Sequence, residues 1–372
     1  MSIKRKSISF VSLLVCMFIL ITCTSINAVS TNEQNTTVNS GYDYPIKPGT
    51  DEWVKLNDRA KRGDACQIPE DVLKSLSTDE LVETVLNYPF LMDIYAYDTI
   101  QQGFKAVASR FNGLKELLQR EDAGPKLLER YKQMEVIKDP KKVISKELFN
   151  LSSIEVILRQ DEIMSKLNKT KIEELEKEVE NKYFEKNAHP DIYGLTKAAS
   201  YEVQADIQNS RVSAQTSYTV YTPNGTAVSV EKLGDVLTSD EKTAYADYVT
   251  TNYPGATILR SATYNYNCHS YAWYNQSTSN TYWMNDPSSY MNDGSYTYTT
   301  TWNAGRKMYY NYPGNEHSAI VTASYYGPPA PGYDWSSLTL EVSKWGPAGL
   351  IQHRGNNCPY YVDDSYMEAY YR

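Results

Sequence analysis

Cysteine and histidine are both scarce in this chain, five and four residues among 372. So few thiols exclude a disulfide-dense scaffold or a cysteine-rich zinc module, and each one needs a physical reason to be present. Long apolar runs are scarcer still. The single one, Phe10 to Ile21, is too short to span a bilayer comfortably; Lys4, Arg5 and Lys6 precede it and Ile26-Asn27-Ala28 follows. That order predicts a signal peptide over residues 1–28 and an exported mature chain. Leu20-Ile21-Thr22-Cys23 offers the alternative of a lipoprotein box with Cys23 lipidated, although Thr22 is bulkier than the residue such a box normally carries. No other segment has transmembrane length. Positive charge is also short: the net charge of -8 becomes -11 when Lys4, Arg5 and Lys6 leave with the signal. A chain this acidic has no electrostatic case for nucleic acid or for anionic lipid.

What is present divides along the chain. Residues 29–50, rich in Ser, Thr, Asn, Gly and Pro without an apolar period, read as a flexible tether. Residues 51–198 read as an all-α domain. Ser77 and Glu80 form a capping box ahead of Leu81, Val82, Val85 and Leu86; a second periodic run breaks at Asn112-Gly113; and Ile172, Leu175 and Val179 make one packed stripe on a charged helix. Composition then changes. Of 33 tyrosines, 25 lie in 201–372, among many Thr, Ser and Asn, residues that favour strands and turns. Residues 199–372 therefore read as an α+β domain with a mainly antiparallel sheet. The expected elements are a hairpin around Asn224-Gly225, a helix from Thr238 to about Tyr248 capped with Glu241, and strands at "ATILRSAT", "HSAIVTAS" and "SLTLEVSKWG".

With the signal removed, Cys66, Cys268 and Cys358 remain, an odd number that leaves at least one thiol free. Cys268 lies in "NCHSYAWY", where Asn267 is a good N-cap and Ala272 suits a helix interior. A thiol in the first turn of a helix faces unpaired N–H groups that stabilise its thiolate. A nucleophile of this kind needs a base. His269 follows directly, but successive helical side chains diverge by about a hundred degrees, so it is not expected to face the sulfur. His317 opens a strand whose Ala319 and Val321 share its face, and it is the expected base, with His353 in reserve. An antiparallel pairing of 317–323 with 338–345 brings Ser343 near His317 as its orienting group, with Glu341 two residues along. Tyr264, Asn265 and Tyr266, with the Cys268 N–H, are candidates for holding an oxyanion, and Asn267, His269 and Trp273 for lining the substrate.

A cysteine entering a helix as "NCHSYAW", a histidine opening an apolar strand as "EHSAIV", and a further strand beyond it resemble the papain-like core of NlpC-type and CHAP bacterial hydrolases over residues 255–355. The resemblance implies an antiparallel sheet packed on the nucleophile helix, Cys268 as nucleophile and His317 as base. It also implies hydrolysis of peptide or amide bonds, often in cell-wall peptidoglycan, without metal or cofactor. Where NlpC-type domains carry Asp-Cys-Ser-Gly, this chain has Asn267-Cys268-His269-Ser270.

Other readings compete. A Cys268–Cys358 disulfide would stabilise the domain by roughly 2–4 kcal/mol and leave no nucleophile, whereas a Cys66–Cys358 bond would leave Cys268 free; all three staying reduced is a further option. A zinc site of Cys268, His269 and His317 has no recognisable ligand spacing. His189 reads as a helix-end residue, and Asp286 and Asp293 as turn residues beside Pro287 and Gly294. The main alternative function is a secreted glycan- or wall-binding module in which Tyr, Trp and Asn recognise sugars and Cys268 is incidental.

Overall fold

The computed structural model describes residues 41–197, 217–277, 279–324 and 335–372. The expected signal peptide, Cys23, the first part of the tether and the 198/199 domain boundary lie outside them. Helices fill the N-terminal half and antiparallel strands the C-terminal half. Residues 41–50 are not a free tether: Tyr44 is buried, its hydroxyl donates to the Thr84 carbonyl, and the Tyr42 N–H donates to Thr84 Oγ1.

The helical half begins its regular packing at Thr78–Leu86, where Ser77 and Glu80 form the expected reciprocal capping box. Helix Ile100–Arg110 ends at Phe111 and Asn112–Gln119 starts afresh, so the break falls at Phe111, one residue before the expected position, and Asn112-Gly113 opens the next helix. Lys169–Asn187 buries Leu175 and Val179 and leaves most of its charged residues in solvent. Ser239–Asn252, capped by Thr238 with Glu241, lies in the second half of the sequence yet packs against helix Ser145–Leu158 of the first.

Among the described residues the strands are β1 Ser217–Tyr221, β2 Ala227–Glu231, β3 Thr257–Arg260, β4 Thr297–Thr299, β5 Lys307–Tyr310, β6 His317–Ala323, β7 Leu340–Lys344, β8 Leu350–Arg354 and β9 Met367–Tyr371. β1 and β2 make the expected hairpin, with Gly225 at φ 89° supplying the left-handed turn residue. The other seven form one antiparallel sheet in the order β3-β8-β7-β6-β5-β9-β4, which puts β6 at its centre. β6 pairs with β7 as Ala319↔Ser343 and Val321↔Glu341, the register expected for these two segments.

Alternation along the strands gives the sheet two buried faces. Met308, Tyr310, Ala319, Val321, Ile351 and Ala369 enter a large core with the helical half. Ala272, Trp273, Met284 and Tyr290 form a smaller core with the hairpin, and Tyr309, Ile320 and Tyr370 of the sheet pack against it. Residues 39–372 form one compact unit. The expected all-α and α+β domains therefore do not bury separate cores: the helices use one sheet face as their floor.

Candidate functional site

The segment around Cys268 folds as its residues dictate. Asn267 Oδ1 accepts the Ser270 N–H at 3.1 Å, and the Asn267 carbonyl accepts from Tyr271 at 3.0 Å. Asn267 is therefore the N-cap and Cys268 the first helical residue. The turn then widens into a π-helix, Ser270–Tyr274. Cys268 is free, as are Cys66 and Cys358, so neither considered disulfide forms. All three thiols are buried.

Cys268 lies at the mouth of β6. Backbone N–H groups of Ser318 and His269 point at its sulfur, and its thiol donates to Asp98 Oδ1 at 3.9 Å. Burial, then the Asp98 carboxyl, push the thiol well above its ordinary pKa, and the two N–H groups offset only part of that. The helix start therefore does not make a thiolate in this closed arrangement. Asp98 is the group that sequence reasoning missed. It comes from the helical half, in "IYAYDTIQ", where nothing but a polar residue before a helix marks it. Its Oδ2 accepts from Asn267 Nδ2 at 2.7 Å, and burial raises its pKa to about 7 against the lowering influence of Asn267 and Lys344.

His269, expected to face away, does not. One of its ring nitrogens lies within 4.8 Å of both the Cys268 sulfur and an Asp98 oxygen. Its Nδ1 is 2.8 Å from Ser318 Oγ, which draws the ring back over the helix start. Ser318 Oγ also accepts the Trp273 indole N–H at 2.7 Å, so one hydroxyl holds both the His269 ring and the indole. Burial lowers the His269 pKa to about 4. Trp273, expected to line a substrate, is buried against Tyr290, Tyr296 and Tyr370.

His317, the expected base, is fully buried on the face of β6 that meets the helical half. Its ring stacks on Tyr360 at 3.9 Å and meets Tyr310 edge-on at 5.3 Å. Neither ring nitrogen has a hydrogen-bond partner among the described residues, so Cys268 and His317 are not hydrogen-bonded. Burial, then His353 and His269, hold its pKa well below the ordinary value.

The other expected groups are placed differently. Ser343 is in the expected register but serves His353: its Oγ is 2.7 Å from Nε2, while Nδ1 donates to the Arg354 carbonyl at 2.8 Å and the Trp345 indole donates to Ser343 Oγ at 3.1 Å. Glu341 accepts the Tyr310 hydroxyl at 2.7 Å, and burial raises its pKa to about 8. Tyr264 stacks on Trp283, the Asn265 N–H donates to Thr263 Oγ1, and the Tyr266 ring lies under the Lys344 ammonium at 5.5 Å. The donors at the sulfur are instead the N–H groups of Ser318 and His269. Asp286 and Asp293 accept from Ser288 and Ser295 N–H two residues on, as turn residues do.

Asp98, Cys268 and His269 are donor types that zinc accepts, and they replace the set with His317. The cluster is better satisfied by protons. His269 Nδ1 is committed to Ser318, Asp98 Oδ2 to Asn267, and the Lys344 side chain already supplies positive charge to the field of Asp98 and Cys268. Lys344 donates to the carbonyls of Thr263 at 2.8 Å and Gly346, and burial lowers its pKa to about 7. A cavity of about 850 Å³ opens elsewhere, between Tyr42, Tyr88, Met92 and Tyr248, and Cys268 does not line it.

Among the described residues, no helix is long and apolar enough to cross a membrane. Comparison with protein families, with curated proteins and with solved structures finds no match to this chain.

Proposed function

We propose that this chain is a secreted, papain-like cysteine hydrolase that cleaves a peptide or amide bond, in cell-wall peptides above all, through an acyl-thioester on Cys268. The observation that carries this reading is the free thiol of Cys268, the first residue of an asparagine-capped helix start at the mouth of the central strand that His317 opens. Among the described residues neither ring nitrogen of His317 has a partner, and a buried polar atom without one costs about 1–3 kcal/mol.

The division of labour follows from the hydrogen bonds. Nδ1 of His269 is already engaged with Ser318, whereas among the described residues neither nitrogen of His317 has a partner. His317 is therefore the base: it takes the thiol proton as the site opens and the ring leaves Tyr360. The sulfur attacks the carbonyl carbon while the Ser318 and His269 N–H groups face the developing negative charge. The imidazolium returns its proton to the departing amine, and water, deprotonated by the same ring, then cleaves the thioester.

Turnover of peptidoglycan stem peptides tests this. Cys268→Ala is expected to abolish release of new amino groups with the circular dichroism unchanged, and His317→Ala to lower turnover by about 10²-fold or more. Full turnover by Cys268→Ala would overturn the reading. The non-enzymatic alternative has its own supporting observation. Tyr218, Tyr282 and Tyr274 form a ring series spaced 6.0 and 5.8 Å, with Lys232 about 5 Å above two of them and Tyr218 and Tyr274 exposed. Wall-polysaccharide binding that Cys268→Ala leaves intact, without turnover by the unaltered chain, would favour it.

A further inference from the structure

The proposed nucleophile is fully buried, and the one carboxyl that reaches it comes from a short stretch of the helical half. Residues 96–99 lie between the 3-10 turn Leu91–Tyr95 and the helix Ile100–Arg110, in neither helix nor strand. Three contacts seat this stretch on the sheet domain. Asp98 receives the Cys268 thiol on one oxygen and the Asn267 amide on the other, so it grips both the nucleophile and the residue that caps its helix. Tyr97 donates its hydroxyl to the Pro359 carbonyl at 2.7 Å and packs its ring on Tyr360 at 4.3 Å. Tyr360 in turn stacks on His317. Gly346, at φ 43°, lies so close to the Tyr97 carbonyl that a Cβ there would collide with it. One segment thus covers the thiol directly and the imidazole through Tyr360.

We infer that residues 96–98 are an autoinhibitory plug, with Asp98 as its latch, and that withdrawal of this segment admits substrate to Cys268. The inference rests on Cys268 being the working thiol. The carboxyl meets the sulfur together with the Ser318 and His269 N–H groups. Withdrawal breaks two side-chain hydrogen bonds, from Asn267 and Tyr97, one weak thiol bond and one ring contact, and it takes Ala96 and Tyr97 out of the edge of the large core.

Alkylation of the full-length chain with iodoacetamide, followed by mass spectrometry of each cysteine peptide, tests this without requiring turnover. Cys66, also buried and free, is the internal control, whereas Cys358 directly precedes Pro359 and Tyr360, on which Tyr97 is seated. Asp98→Ala is expected to raise the Cys268 rate at least tenfold while Cys66 stays slow. Gly346→Ala, which leaves Asp98 in place and forces Tyr97 outward, is expected to do the same. An unchanged Cys268 rate in both variants would overturn the plug. Should Asp98→Ala expose all three thiols together by loss of the fold, Gly346→Ala decides by the same criterion, and a common rise there also overturns it. Because the readout is labelling, a chain with no hydrolase activity but latch-dependent labelling would contradict the catalytic reading and leave the plug standing.

Discussion

Two of the three histidines of the sheet domain are held in the same way, by a serine hydroxyl that also accepts a tryptophan indole. His269 has Ser318 and Trp273; His353 has Ser343 and Trp345. Each serine bridges its ring and its indole; at His353 the Nδ1–H goes to the Arg354 carbonyl, so the neutral ring accepts from Ser343 at Nε2 and is fixed in one tautomer. Replacing Ser343 with Ala leaves a buried indole N–H and a buried ring nitrogen unpaired, and is expected to cost about 1–3 kcal/mol by urea denaturation. Glu341, beside His353 across the β7–β8 pair, has a different signature. Its pKa is raised to about 8 in the folded chain from 4.5. Between those values the folded form holds a proton that the unfolded form has lost, so its contribution to stability falls as pH rises. Glu341→Gln is therefore expected to gain on the unaltered chain from pH 5 to pH 8, read as the difference of urea midpoints. At this scale Cys268 was legible, because Asn267 before it and Ala272 after it mark a helix start. Asp98 was not: it reaches the sulfur from 170 positions away, and no local spacing encodes that contact.

Among the elements, helix Ser239–Asn252 shows what a local signal carries and what it omits. Thr238 and Glu241 announce its capping box. The same Glu241 side chain also accepts the N–H groups of Gly194, Leu195 and Thr196 at 2.7–3.0 Å, binding the end of the helical half to the start of this helix. Glu241→Ala strands several buried donors at once. A loss of about 3 kcal/mol or more is expected by urea denaturation, against a few tenths to about 1 for a cap alone. Strands β6 and β7 were readable from alternating apolar residues, and the register between them followed. Strands β4, β5 and β9 were not, since "TYT", "KMYY" and "MEAYY" carry tyrosines that suit either face and so show no clear period.

The molecule as a whole is tied together across its sequence halves. Arg59 donates to Asp93 at 2.9 Å, both buried, and Asp93 also accepts the hydroxyls of Tyr248 and Tyr253. The Trp53 indole donates to the Asn252 carbonyl, and Arg62 to Asn357. A change of composition near residue 200 suggested two independent domains, but composition reports which elements form and not which faces they share. Residues 51–198 alone are expected to give no cooperative thermal transition, whereas the full chain gives one. Arg59→Met, which leaves Asp93 buried without its cation, is expected to cost about 3–5 kcal/mol. A sheet whose floor is locked to the helices also fixes the mouth of β6, where the thiol, the unpaired imidazole and the plug meet. The most direct test of the proposed chemistry at that mouth is intact-mass analysis after rapid acid quench of the full-length chain with peptidoglycan stem peptides. A thioester adduct on Cys268, absent from Cys268→Ala and accumulating further in Asp98→Ala, is the expected result. Turnover of those peptides with no adduct on Cys268, and at the same rate in Cys268→Ala, would contradict it.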